Sequence, residues 1–112
     1  FTFSFKENNM PHSSTQQEFD IQSDLLLQTP KMARVVLLND NYTTMDFVIE
    51  ILQTIFAKSH NEAVKITLDV HKTGRGTCGI YPYDIAEIKI QETINAAQKA
   101  QFPLKVYSES IE

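Results

Sequence analysis

The spacing of hydrophobic positions changes along the chain, and each change marks a structural element. Val35-Val36-Leu37-Leu38 is an unbroken β-branched and aliphatic run stopped by Asn39-Asp40-Asn41, the pattern of a strand entering a polar turn. Phe47, Val48, Ile51, Leu52, Ile55 and Phe56 then recur at helical spacing, behind Thr43 or Thr44 as a helix cap. Ser59 followed three residues later by Glu62 is a capping-box signature, opening a second helix with Ala63, Ile66, Thr67, Val70 and His71 on one side. Gly74 and Gly76 end it. Thr77-Cys78-Gly79-Ile80-Tyr81 reads as a second strand, Pro82 introduces a third helix to about Ala100, and Pro103 precedes a last strand from Leu104 to about Ser108. The order β-α-α-β-α-β predicts an α+β domain over residues 31–112, its helices packed on a small sheet.

Residues 1–30 differ. They are rich in Asn, Gln, Ser and Thr, and Lys6 against Glu7, Glu18, Asp20 and Asp24 gives them −3 of the chain's net −4. They read as a flexible acidic extension ending at Thr29-Pro30; the Leu25-Leu26-Leu27 cluster within it is a weak candidate for docking. The first residue is Phe1 rather than Met, as in a processed or recombinant chain. An acidic balance argues against nucleic acid and anionic membranes as partners, since both select a basic face. No apolar run approaches the roughly 18 residues of a membrane span, and the chain reads as soluble. One cysteine allows no internal disulfide and fits a reducing compartment.

A domain of this size needs its apolar stripes for its own core, so function is expected at element ends. Asn39 and Asp40 follow the first strand and His71 ends the second helix. A carboxamide, a carboxylate and a neutral imidazole can each accept a hydrogen bond, and converging acceptors suit a cation such as the α-amino group of another polypeptide. Thr43, Met45, Val48, Thr67, Val70 and Leu104 are placed to form a shallow apolar pocket beside them. Spacing alone leaves the plainer reading open, in which Asn39-Asp40-Asn41 only makes the turn and His71 only decorates a helix end.

Catalysis and metal chemistry find little footing. Asp40, His71 and Cys78 compose a nucleophile triad on paper, but Cys78 lies in a predicted strand beside Gly79, where a small buried residue is expected. His12, His60, His71 and Cys78 have no zinc spacing, and Gly74-Arg75-Gly76 is too short for a phosphate loop. The chain is therefore read as non-enzymatic, without metal or cofactor.

The stretch from Val36 to Val48, Val-Leu-Leu-Asn-Asp-Asn-Tyr-Thr-Thr-Met-Asp-Phe-Val, resembles the ClpS family of Clp protease adaptors. Three further stretches fit in order: Val70-His71 ahead of Gly74 and Gly76, Cys78-Gly79-Ile80-Tyr81 with Ala86-Glu87 and Lys89, and Pro103-Leu104. The resemblance spans about residues 33–109 and implies three antiparallel strands with three helices. It further implies that Asn39, Asp40 and His71 bind a substrate's α-amino group, that Thr43, Met45, Val48, Val70 and Leu104 hold its first side chain, and that Asp84, Glu87 and Lys89 dock the N-terminal domain of a ClpA-type AAA+ unfoldase. On this resemblance the chain is an adaptor, monomeric when free, that delivers N-degron polypeptides beginning with Leu, Phe, Tyr or Trp in the bacterial cytoplasm, a chloroplast stroma being the second choice. The extension would serve delivery. A rival is the factor-binding C-terminal domain of the ribosomal stalk protein, a reading that gives Asn39, Asp40 and His71 no reason to stand together.

The chain departs from the family's pattern at four positions. Thr67 replaces a Met that in the family excludes β-branched first residues, which implies a wider pocket admitting Ile or Val. Asn41 stands for Asp, Thr44 for Pro, and Asp84 for Glu. Phe1 is itself a bulky aromatic N-terminus, so the extension is a candidate ligand for a neighbouring molecule's pocket at high concentration.

Overall fold

The computed structural model describes residues 1–2 and 31–111; the reading of residues 3–30 as an extension, with its leucine cluster, lies outside the described residues. The elements are β1 Met32–Leu38, α1 Met45–Thr54, α2 His60–Thr73, β2 Arg75–Pro82, α3 Tyr83–Ala100 and β3 Lys105–Ile111. The strands form one antiparallel sheet in the order β2-β1-β3, so the most apolar strand takes the centre. This is the β-α-α-β-α-β order expected. The strands run beyond the apolar runs that announced them: β2 begins at Arg75 and β3 continues through polar Ser108, Glu109 and Ser110, because pairing with β1 recruits backbone that side-chain hydrophobicity does not mark.

Caps set the helix limits. The Thr44 hydroxyl accepts from Phe47 N at 3.2 Å to start α1, and the Ser59 hydroxyl accepts from Glu62 N at 3.1 Å to start α2. Gly74, at φ 96, closes α2 in the left-handed conformation. Helix α1 stops at Thr54, earlier than its apolar stripe predicts; Ile55 is its C-cap and Ala57 turns left-handed at φ 55, while Phe56 still reaches the core.

Ala33, Val35 and Leu37 of β1 point into one core with Val48, Ile51 and Leu52 of α1, Ala63 and Val70 of α2, and Ala86, Ile90 and Ala97 of α3. Val36 is equally buried but lies outside this cluster, paired with Thr77 and Tyr107 in register. The register of β2 against β1 slips at Val35/Val36, where Thr77 and Gly79 are successive partners and Cys78 is the extra residue of a bulge. Burial pushes the Cys78 thiol up to about 12, which keeps it protonated and inert.

Candidate functional site

The site is built where β1 ends. Asn39 N donates to Gly74 O at 2.9 Å, tying the turn after β1 to the C-terminal cap of α2. That bond brings the Asn39-Asp40 turn alongside the helix end that carries Val70 and His71. Asp40 then folds the turn on itself: its Oδ1 accepts from Tyr42 N and Thr43 N, both at 2.7 Å, and its Oδ2 accepts from Thr43 Oγ1 at 2.8 Å. Burial alone would raise the Asp40 carboxyl, but these bonds and the nearby N-terminal ammonium outweigh it and hold it below the ordinary value.

The chain's own first residue sits here. The Phe1 ammonium donates to Asn39 Oδ1 and, at 2.6 Å, to the main-chain carbonyl of Asp40. Phe1 is only 5% exposed and belongs to the same buried cluster as Met45, Val48, Val70 and Leu104. Thr2 forms an isolated parallel bridge to Thr44: Thr2 N donates to Thr43 O at 3.0 Å and Met45 N donates to Thr2 O at 2.7 Å. These hydrogen bonds grip Phe1 and Thr2 chiefly through main-chain atoms, the Asp40 and Thr43 carbonyls and the Met45 N–H.

The structure thus brings together Asn39, Asp40, Thr43, Met45, Val48, Val70 and Leu104, with Thr43 fully buried. Thr67 is buried as well, its hydroxyl donating to Ala63 O at 2.8 Å, so it presents no unsatisfied polar atom to the apolar cluster. His71 lies in the last turn of α2 with an exposed side chain, and the hydrogen bonds that hold the Phe1 ammonium come from Asn39 and Asp40. Sequence reasoning expected the Asp40 carboxylate to meet the amine; the direct acceptor is its carbonyl, because the carboxylate is occupied in the turn and acts on the cation through its charge. The main-chain contributions of Thr43 and Met45 were missed altogether, since no side-chain pattern encodes them.

Away from this site, Asp84 and Glu87 are exposed on the first turns of α3. Lys89 is partly committed to the fold: its Nζ donates to Ile55 O at 2.9 Å, capping α1, and stands 5.3 Å from the Tyr81 ring centroid. Ile80, Tyr83 and Ile88 expose apolar surface beside these charges. Among the described residues no group of three or more His, Cys, Asp or Glu could hold a metal ion, and no helix is long and apolar enough to cross a membrane.

A solved structure of Agrobacterium tumefaciens ClpS2 bound to L-phenylalaninamide superimposes with a TM-score of 0.71 at 32% identity, covering 74% of this chain and 100% of that one. The ATP-dependent Clp protease adapter protein ClpS of Wolinella succinogenes is 46% identical over 92 residues, 82% of this chain and 90% of its own length. That of Helicobacter hepaticus is 50% identical over 93 residues, 83% of this chain and 94% of its own; that of Clostridium acetobutylicum is 52% identical over 95 residues, with the same two shares. Nothing in these likenesses supports the ribosomal-stalk alternative. With a family model matching residues 28–107 as well, the chain belongs to the ClpS family, the adaptor proteins of the ATP-dependent Clp protease.

Proposed function

We propose that this adaptor selects polypeptides by a free α-amino group followed by a bulky hydrophobic first residue, and delivers them to a ClpA-type AAA+ unfoldase. The observation that carries the reading is the seating of Phe1, whose ammonium meets Asn39 and Asp40 while its ring is buried with Met45, Val48, Val70 and Leu104. The relative solved with L-phenylalaninamide holds a ligand of the same two parts, a free amine and an aromatic side chain.

The two halves of the site divide the work. A hydrogen bond to a charged group contributes roughly 1.5–3 kcal/mol and burial of a Leu or Phe side chain a similar ~1.5–3 kcal/mol, whereas a micromolar complex needs ~8 kcal/mol. Neither half suffices alone. The amine contacts admit only free N-termini, and the pocket ranks them, with Leu, Phe, Tyr and Trp preferred. His71, beside Val70 at the helix end, is the further acceptor for the incoming amine. A titration with peptides beginning with Leu, Ala and acetylated Leu tests the reading. Tight binding of the first alone is expected; retained binding of the acetylated peptide would overturn it.

Thr67 sets the width of the pocket in this proposal. Its short side chain leaves room for β-branched first residues, so Thr67→Met should weaken Ile-initiated peptides more than Leu-initiated ones. Equal weakening of both would show general overpacking instead.

Docking on the unfoldase's N-terminal domain is assigned to the face carrying Asp84, Glu87 and Lys89. Exposed Asp84 and Glu87 are the clean test, because Lys89 also caps α1. Charge reversal at Asp84 and Glu87 should reduce unfoldase binding and leave peptide binding unchanged. The adaptor works as a monomer in the bacterial cytoplasm and catalyses nothing itself, in keeping with a buried, protonated Cys78.

A further inference from the structure

We propose that Arg75 and Glu109 are positioning residues for the site: joined across the outer face of the sheet, they hold the corner between α2 and β2 against which Asn39 and Val70 are set. The inference rests on the amine recognition proposed above and deepens it, since Asn39 supplies the side-chain acceptor there. It starts from Val36. Val35 and Leu37 turn toward the helices, so Val36 turns away from them, yet it is fully buried. Its partners in register are Thr77 and Tyr107. Arg75 stands opposite Leu38 and Glu109 opposite Arg34, on the two outer strands and on either side of Val36 along β1. The Arg75 guanidinium nevertheless reaches the Glu109 carboxylate at 2.7 Å, so the two side chains lie over Val36 and cover it with their apolar stems. Arg34 adds a second guanidinium to the same carboxylate at 3.4 Å.

The place of Arg75 in the chain connects this clasp to the site. The ladder between β1 and β2 ends at the pair Leu38 and Arg75, and the bond from Asn39 N to Gly74 O at 2.9 Å lies just beyond it. Strand ends open at far lower free energy than strand centres, so this bond is the first to be lost when the corner lifts. Thr73 Oγ1, 2.8 Å from Asp69 O and 2.9 Å from Arg75 O, ties the corner back to α2. The clasp ties it forward to β3. The next residue, Gly76, passes so close to Val70 that an added Cβ would stand 2.5 Å from the Val70 Cγ2. One corner therefore places the amine acceptor through Gly74 and a wall of the apolar pocket through Gly76. Both charged side chains are part-exposed, so the clasp shifts the opening of the corner by at most about 5-fold, the upper range for a surface pair.

The test compares the full chain with Arg75→Gln, Glu109→Gln, the double variant and Arg34→Gln, reading amide hydrogen exchange at Asn39 and the affinity of a peptide beginning with Leu. Glutamine keeps most of each stem and removes the charge. In Arg75→Gln and Glu109→Gln the Asn39 N–H should exchange about 2- to 3-fold faster and the peptide should bind about 2- to 3-fold more weakly, with no further loss in the double variant. Arg34→Gln takes a partner from the same carboxylate without touching the corner, and should leave both readings unchanged. Unchanged affinity in either Arg75→Gln or Glu109→Gln would overturn the proposal. So would additive losses in the double variant, or an equal loss in Arg34→Gln, which would mark a general loosening of the sheet. A parent chain that fails to bind the peptide would overturn amine recognition itself and this role with it, whereas equal affinities beside a binding parent overturn the clasp alone.

Discussion

Asp40 and Thr43 are joined twice, Oδ1 accepting the Thr43 N–H at 2.7 Å and Oδ2 the Thr43 hydroxyl at 2.8 Å. With Tyr42 N on the same Oδ1, one carboxylate fixes three donors on two consecutive residues and so fixes where the carbonyls of Asp40 and Thr43 point. Those carbonyls are the acceptors for the Phe1 ammonium and the Thr2 N–H. Asp40→Ala removes the shared acceptor and leaves partly buried donors unpaired, a loss of about 1–3 kcal/mol. Urea unfolding should report that loss, and peptide affinity should fall further than Asn39→Ala alone would lower it. Unchanged affinity in Asp40→Ala would show that the turn holds its shape without the carboxylate.

Protonation of Asp40 should mimic part of that change. Burial raises the carboxyl, but the Thr43 and Tyr42 N–H groups, the Thr43 hydroxyl and the N-terminal ammonium hold it below 3.8 in the folded chain. With the folded value the lower, the unfolded chain binds protons first, so the contribution is whole above about pH 3.8 and is lost as pH falls through the depressed folded value. The stability gap between the parent chain and Asp40→Asn should be constant near neutrality and shrink only below that pH. A gap that persists in strong acid would locate the effect outside the carboxylate's charge.

Among the described residues two non-glycine residues hold left-handed conformations, Ala57 at φ 55 after α1 and Gln101 at φ 64 at the end of α3. A Cβ raises the energy of this conformation by roughly 1–2 kcal/mol, offset in part by the greater chain entropy that glycine brings to the unfolded state. Ala57→Gly and Gln101→Gly should therefore each stabilise the fold by about 0.5–1 kcal/mol. The two lie at the ends of different helices and should add in a thermal melt; a net loss from either would mean that its side chain packs in a way the backbone strain does not outweigh.

Gly79 works in the opposite sense. A Cβ there would stand 2.6 Å from the Tyr81 hydroxyl and 2.8 Å from the ring, so the Tyr81 side chain lies across a position only glycine leaves open. That ring packs tilted against Phe56 and carries Lys89 above it. Gly79→Ala should displace it, loosening the contact between β2 and the α1–α3 junction at a cost of about 1–3 kcal/mol. Gly79→Ala combined with Tyr81→Ala should recover part of the loss from the glycine substitution, and the absence of any coupling between them would place the strain elsewhere.

How legible all this was depends on which atoms carry it. Element order was readable because Val35-Val36-Leu37 and the stripe from Phe47 to Phe56 obey different periods, and the Thr44 and Ser59 caps were readable because a side-chain hydroxyl performs them. The end of β3 beyond Ser108 was not, since Glu109 and Ser110 take strand geometry from pairing with Arg34 and Ala33. In the site, Asn39 and the apolar residues stood out by type and position. The grip on the second residue did not, because Thr43 O and Met45 N are groups that almost any residue could supply there.

That grip yields a prediction about ligands rather than variants. The Thr2 N–H donates to Thr43 O and its carbonyl accepts from Met45 N, adding a short strand to the turn's edge in the manner of β-augmentation. Proline in second place has no N–H to give and also restricts the residue before it. With one net hydrogen bond contributing about 0.5–1.5 kcal/mol, a Phe-Pro peptide should bind roughly 2- to 12-fold more weakly than Phe-Thr, and an N-methylated second residue should reproduce most of the loss. Phenylalaninamide should likewise bind more weakly than Phe-Thr amide, since it lacks the second-residue carbonyl that Met45 N reaches. Equal affinities across this series would confine recognition to the first residue.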